Sequence, residues 1–216
     1  MQNQRRRAVW RTMTGAATVS LIVGLAACSG GTDAGGEFSA ERKTVEAFMD
    51  ALQNGDAQQA STYLADRSSF PADALTDDFY SSALERPQDA RIAVATESQG
   101  TVYVQVDYRL GSDDRELDLV MASGDRSLIE GWSGTPTILR SAAGDGRVTV
   151  SDALEIEVGT AESYTSLLPG RYSVSYTGAG DAVGPFELDF PVKAPESDSQ
   201  LPTGVSFAGG ALEFAG

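Results

Sequence analysis

The stretch Val102-Tyr103-Val104-Gln105-Val106-Asp107-Tyr108-Arg109-Leu110 alternates apolar and polar side chains almost without a break. Successive residues of a strand point to opposite faces, so Val102, Val104, Val106, Tyr108 and Leu110 share one side. Tyr103, Gln105, Asp107 and Arg109 share the other. One buried and one solvated face is the signature of an antiparallel sheet. Its neighbours extend the pattern: Ile92 and Val94 mark a strand before it, and Gly111-Ser112-Asp113-Asp114 makes a turn after it. Leu117, Leu119 and Met121 keep the alternation, and Gly124-Asp125 turns the chain toward Leu128, Ile129 and Trp132.

Upstream the period is helical. Val45, Phe48, Met49 and Leu52 recur at i, i+3, i+4 and i+7, which predicts a helix that Ser39 can cap and Asn54-Gly55 stops. Asp56 followed by Gln59 resembles a capping box for a short second helix with Ala60, Tyr63 and Leu64 inside. A third helix is expected from about Ala72 to Leu84, with Pro71 near its start, Leu75, Phe79 and Ala83 spaced for burial, and Arg86-Pro87 ending it. Helices followed by an antiparallel meander define an α+β layout, here N-terminal helices packed on a curved sheet.

The second half has no helical stripe. Val148 and Val150, then Leu154, Ile156 and Val158, then Tyr172, Val174 and Tyr176 after Leu167-Leu168-Pro169-Gly170, and Phe186, Leu188, Phe190 and Val192 read as strands. Residues 141–216 are therefore expected to form a small all-β, sandwich-like domain. The Pro-Gly phrase resembles the turn of surface-exposed β modules on bacterial envelope proteins. Residues 194–203 read as a loop, and Val205-Phe207 with Leu212-Phe214 as a last hairpin.

The amino end carries an address. Arg5, Arg6, Arg7 and Arg11 precede an apolar run, Ala16 to Ala27, in the charge order of a secretory leader. The run ends in Leu25-Ala26-Ala27-Cys28, and Cys28 is the one cysteine in the chain. This tetrad resembles the lipobox of bacterial lipoproteins. In that family the cysteine sulfur takes a diacylglycerol, the leader (here residues 1–27) is cut away, and the new amine is acylated, palmitate being a typical chain. The resemblance implies lipidation at Cys28 and a place on the outer side of the cell membrane, where several acyl chains suffice for stable anchoring. An ordinary cleaved signal and a retained helix are the other readings; crossing hydrocarbon takes about 20 residues, more than this run supplies. Arg6-Arg7-Ala8-Val9 partly resembles a twin-arginine export signal, beside the general route. Ser29 to Gly36 is rich in Gly and Ser and would span roughly 15 Å as a flexible tether, so residues 28–37 read as lipidated cysteine and tether.

Charge narrows the function classes. All 31 acidic residues lie beyond Cys28 while four of the 16 basic ones precede it, which leaves 12 basic residues and a formal charge of −19 on the processed chain. Nucleic-acid binding needs clustered Lys and Arg, so no nucleic-acid partner is expected. Anionic headgroups would repel this surface, so the lipid rather than the protein surface would hold it at the membrane. Arg outnumbers Lys 14 to 2, a bias resembling that of high-GC bacteria such as actinobacteria. The chain has no histidine, and its one thiol is assigned to lipid. Ser-His-Asp triads, Cys-His pairs and His/Cys zinc sites are thereby excluded, and no Gly-rich phosphate loop occurs. Neither a cofactor nor a metal site is expected.

Thr44-Val45-Glu46-Ala47-Phe48-Met49-Asp50-Ala51-Leu52-Gln53-Asn54-Gly55-Asp56, with the later Ile129-Glu130-Gly131-Trp132, resembles the cone-shaped fold of nuclear transport factor two and the steroid isomerases, over residues 38–140. Similar cones occur in actinobacterial lipoproteins and at the front of some penicillin-binding proteins, as spacers or contact modules. The resemblance also admits enzymes in which an acid and a tyrosine project into the pocket; fold does not choose between them. Asp107 and Tyr103 are the nearest pair, but they sit on the strand face opposite the valines. Tyr108 and Tyr63 could line a cavity without an identifiable acid. Asp113, Asp114, Glu116 and Asp118 around one hairpin, and Asp73, Asp77 and Asp78 on one helix, lack the loop of an EF-hand and read as solvated acids. The expected function is a non-enzymatic, lipid-anchored module that binds an envelope protein or a small apolar ligand. A cone-pocket isomerase or dehydratase, and a spacer holding the β-domain off the membrane, are the alternatives.

Overall fold

Helical and alternating segments follow one another as the hydrophobic periods demand, and the result is a mixed α+β structure with few helices and three antiparallel-rich sheets. The computed structural model describes residues 36–133, 137–142, 144–178, 182–192, 201–208 and 210–215. The leader, Cys28, the tether up to residue 35 and most of the loop at 194–203 lie outside these residues.

Helix α1 (Ser39–Asn54) buries the apolar stripe Val45, Phe48, Met49 and Leu52. Gly55 ends it at φ 80°, a left-handed conformation that costs glycine little, and its N–H returns to the Leu52 carbonyl at 3.1 Å. Ser39 does not cap the helix with its side chain: Phe38 occupies the cap position at φ 64°, and the first turn closes through the Ser39 N–H on the Gly36 carbonyl at 3.2 Å. Helix α2 (Ala57–Ser61) begins at Asp56, whose carboxylate accepts the Gln59 N–H at 2.9 Å. The reciprocal half of a capping box is missing, because the Gln59 amide donates to the Tyr63 hydroxyl at 3.0 Å.

The third expected helix is broken in two. A 3₁₀ turn (Ala72–Leu75) stops at Thr76, which is extended (φ −99°, ψ 148°), and α3 (Asp77–Ser81) starts anew from it. Thr76 explains the break: its hydroxyl donates to the Asp73 carbonyl at 2.8 Å and accepts the Phe79 N–H at 3.2 Å. A threonine that can close one turn and open the next competes with a continuous helix.

The first sheet is a meander of β1 (Gln88–Ser98), β2 (Thr101–Leu110), β3 (Asp113–Met121) and β4 (Ile129–Trp132), in that order and antiparallel throughout. Its inner face is the row Val102, Val104, Val106, Tyr108 and Leu110, all buried. β1 departs from the expected alternation. Ile92 pairs with Val106 and Val94 with Gln105, so a bulge after Ile92 turns Val94 outward, where it is 43% exposed. Ala95 takes the inward place opposite Val104.

Residues of the second half form two further sheets. One has the order β10-β9-β6-β7, with β6 (Gly146–Val150), β7 (Leu154–Val158), β9 (Gly170–Gly178) and β10 (Ala182–Phe190). The other runs β11-β12-β5-β8, with β5 (Thr137–Ser141), β8 (Ser163–Thr165), β11 (Val205–Ala208) and β12 (Ala211–Phe214). Here β12 lies parallel to β5, so the end of the chain returns to a strand some seventy residues earlier, and β5 itself straddles the boundary expected at residue 140. Tyr176 of β9 joins the two sheets: its ring stacks on Phe214 at 4.8 Å, and its hydroxyl shares a 2.6 Å hydrogen bond with Ser141. Gly146 and Gly178 leave room for that ring, since a Cβ at either would collide with it.

The described residues fall in one compact unit with one continuous apolar cluster. The Tyr80 hydroxyl of α3 donates to the buried Pro169 carbonyl at 2.8 Å, Phe79 stacks on Tyr172 at 5.8 Å, and Glu85 and Arg171 exchange backbone hydrogen bonds.

Candidate functional site

Two places could host a ligand by position: the space under α1 and the seam where the first sheet meets β9 and β10. The first is filled. Phe48, Met49 and Leu52 of α1 belong to one buried apolar cluster with Val104, Val106 and Leu119 of the sheet, all at most 2% exposed, and Phe48 lies 6.0 Å from Trp132. Tyr103 and Asp107 are on the outer face of the sheet, away from this interior. Tyr63 is half-buried, and its hydroxyl accepts from Gln59.

The seam is built from charge. Arg171 on β9 and Asp189 on β10 are cross-strand partners, which aims both side chains the same way. Arg115 and Asp113 come from β3, and Glu85 from the segment after α3. The Arg171 guanidinium donates Nε–H to Asp189 at 2.6 Å and Nη2–H to Asp113 at 2.8 Å, and its Nη1 lies 2.9 Å from Glu85. Arg115 donates through Nε and Nη2 to the same Asp189 oxygen at 2.9 and 2.7 Å, and through Nη2 to Asp113 at 3.2 Å. Two guanidiniums thus hold three carboxylates, and the planar fork of arginine makes the shared geometry possible.

The acid strengths follow from this arrangement. Burial pushes the Asp189 carboxyl up, but hydrogen bonds from Arg171 and Arg115 outweigh it and hold the group below the usual carboxylate range. Hydrogen bonding to Arg171 and the charge of Arg115 lower Asp113. Arg171 is raised, chiefly by its hydrogen bond to Asp189. Tyr108 lies beside this group; burial first, and then the negative charge of Asp189, push its phenol up to about 12. At neutral pH the tyrosine is therefore protonated and the aspartate ionised and fully engaged.

Beside the network opens a cleft of about 1300 Å³. Tyr108, Arg115, Arg171 and Asp189 form one wall, the half-buried Leu201 and Phe207 contribute apolar surface, and Asp107, Arg109, Asp114 and Glu187 stand at the rim. Arg109 is taken by an ion pair with Asp89, which occupies a left-handed position (φ 53°) in the bulge between Gln88 and Arg91. The cleft combines apolar contact with fixed charges, the usual make-up of a recognition site.

The expected lipidation residues Leu25, Ala26, Ala27 and Cys28 lie outside the described residues. Among the described residues no helix is long and apolar enough to cross a membrane, and no cluster of three or more acids could hold a metal ion. Asp113, read from sequence as a solvated turn residue, is instead an acceptor for two arginines. Glu85, Arg115, Arg171 and Asp189 were invisible as a group, since each alone is an ordinary charged residue and no spacing links them. Compared with known proteins, the chain matches no family model, no curated protein and no solved structure.

Proposed function

We propose that this chain is a lipid-anchored extracytoplasmic binding module, tethered by a diacylglycerol on Cys28 and recognising a partner through the cleft at the seam. One observation carries the choice of binding over catalysis: the interior under α1 is occupied by apolar side chains, and a cleft opens outside it, beside the Arg171–Asp189 network. A cone-like reading of residues 38–140 and a sandwich-like reading of residues 141–216 fit this division of labour. Proton transfer of the isomerase or dehydratase kind finds no support in the chemistry of the cleft. Asp189, the carboxylate whose charge acts on Tyr108, is held by two arginines below the usual carboxylate range, which disfavours it as a general base at neutral pH.

The spacer reading has a specific observation in its favour, the Arg171 network, which would hold the second half at a fixed angle to the first sheet. It explains the rigidity and leaves the cleft without a role, so binding is preferred.

The anchor is tested by labelling cells with a clickable palmitate analogue. Label is expected on the wild type and absent from Cys28→Ser, which should leave the membrane fraction; equal labelling of the two removes the anchor from the account. Binding is tested by cross-linking in cells and comparing the wild type with Glu187→Lys, a change at an exposed position of the cleft rim. Loss of a discrete adduct supports the reading, and an unchanged adduct pattern contradicts it.

A further inference from the structure

Resting on that reading, we propose that the cleft takes an extended, basic segment of a partner polypeptide, laid along the outer edge of β10. Three observations converge. Glu187, Leu188 and Asp189 are consecutive and all line the cleft. Their side chains leave opposite faces of β10; β9 covers one edge of that strand and the other has no strand partner among the described residues, so a hollow touching all three passes around that edge. An edge without a strand partner offers main-chain donors and acceptors that another chain in β conformation satisfies. The bulge between Val183 and Phe186, with Pro185 inside it, blunts the start of the strand and leaves Phe186–Phe190 as the available length.

Charge then decides which chain. The cleft arginines Arg109, Arg115 and Arg171 are each consumed by carboxylates of this protein. Asp107, Asp114 and Glu187 form no ion pair among the described residues, and Arg91, which lies across from Asp107, is the one rim cation in the same condition. The rim therefore keeps an uncompensated negative charge, complementary to Lys or Arg side chains. Leu201 and Phe207 supply contact for the apolar residues that alternate with them in an extended segment. A second copy of this chain is the wrong occupant, since two processed chains, each with a formal charge of −19 beyond the leader, repel one another.

The test uses the full chain in non-ionic detergent and a fluorescent alternating Lys-Val decapeptide carrying one benzophenone, with its Glu-Val counterpart as control. Asp107→Lys combined with Glu187→Lys changes the rim. Glu46→Lys combined with Asp50→Lys makes the same change in net charge on the exposed face of α1. The Lys-Val peptide is expected to bind, the rim variant to weaken it about tenfold and the helix variant less than about twofold, with cross-links at Phe186–Phe190 and Phe207. Equal weakening by both variants would reduce the binding to general attraction by a polyanion and overturn the proposal, as would equal binding of the Glu-Val peptide. If the rim variant leaves peptide binding intact yet abolishes the cellular adduct, the ligand class is wrong while the binding reading stands.

Discussion

Phe48 and Arg171 both tie one layer of the molecule to another, and they do so by different physics. Phe48 sits between α1 and the inner face of the first sheet, fully buried beside Trp132 and the valines of β2, and removing such a ring from water stabilises by about 2–3 kcal/mol. That contact is non-directional and tolerates no vacancy. Arg171 is also largely covered, its side chain 16% exposed, but it holds β9 against Asp113 and Asp189 through hydrogen bonds whose directions are fixed, and against Glu85 through an ion pair at 2.9 Å. Apolar packing under α1 encloses its side chains, whereas the ion-pair junction at the seam borders a cleft.

The comparison can be broken by mutation. Phe48→Ala should cost most, about 4 kcal/mol in urea unfolding, because it leaves a void in a closed interior. Arg171→Ala should follow at about 3 kcal/mol, mainly because Asp189 and Asp113 are left sharing Arg115. Arg171→Lys should recover only part of this, since an ammonium cannot serve three carboxylates in one plane. A midpoint for Arg171→Ala equal to that of the wild type would reduce the network to ornament.

Titration separates the regions in another way. The folded-state pKa values of Asp113 and Asp189 lie below the ordinary 3.8. Their contribution is therefore fully present above that value and is withdrawn as pH falls through the lowered values. Stability of the wild type should decline more steeply below about pH 4 than that of Asp189→Asn, and Phe48→Ala should retain the wild-type slope. Parallel curves for the wild type and Asp189→Asn would place the acid sensitivity elsewhere.

Smaller effects sharpen the boundary. Tyr80→Phe deletes the hydrogen bond to the buried Pro169 carbonyl and should cost about 1 kcal/mol. Asp107→Lys with Glu187→Lys touches exposed rim side chains and should stay within about 0.5 kcal/mol of the wild type. A binding defect in that variant then reports on recognition and not on folding.

Legibility in the sequence divides along the same line. β2 and the stripe of α1 were readable because one period governs many residues, and an inward valine row is hard to misplace. Ile92 and Val94 do mark a strand, but the outward turn of Val94 was not legible, since a single bulged residue reverses every later side chain of β1 and nothing in Ile92-Ala93-Val94 announces it. The helix expected over 72–84 failed at Thr76, where local side-chain hydrogen bonds defeat a correct apolar spacing. The parallel pairing of β12 with β5, and the meeting of residues 85, 113, 115, 171 and 189, depend on contacts between distant segments. Local patterning cannot carry such contacts, and for that reason the cleft appears only in three dimensions.

The most direct test places p-benzoylphenylalanine at Phe207, inside the cleft, and separately at Tyr103, exposed on the outer face of the first sheet, and irradiates living cells. A discrete polypeptide adduct is expected from position 207 and should disappear with Glu187→Lys, and none is expected from position 103. The same adducts from both positions, or none from 207 in a fully expressed and membrane-bound protein, would contradict binding at the cleft.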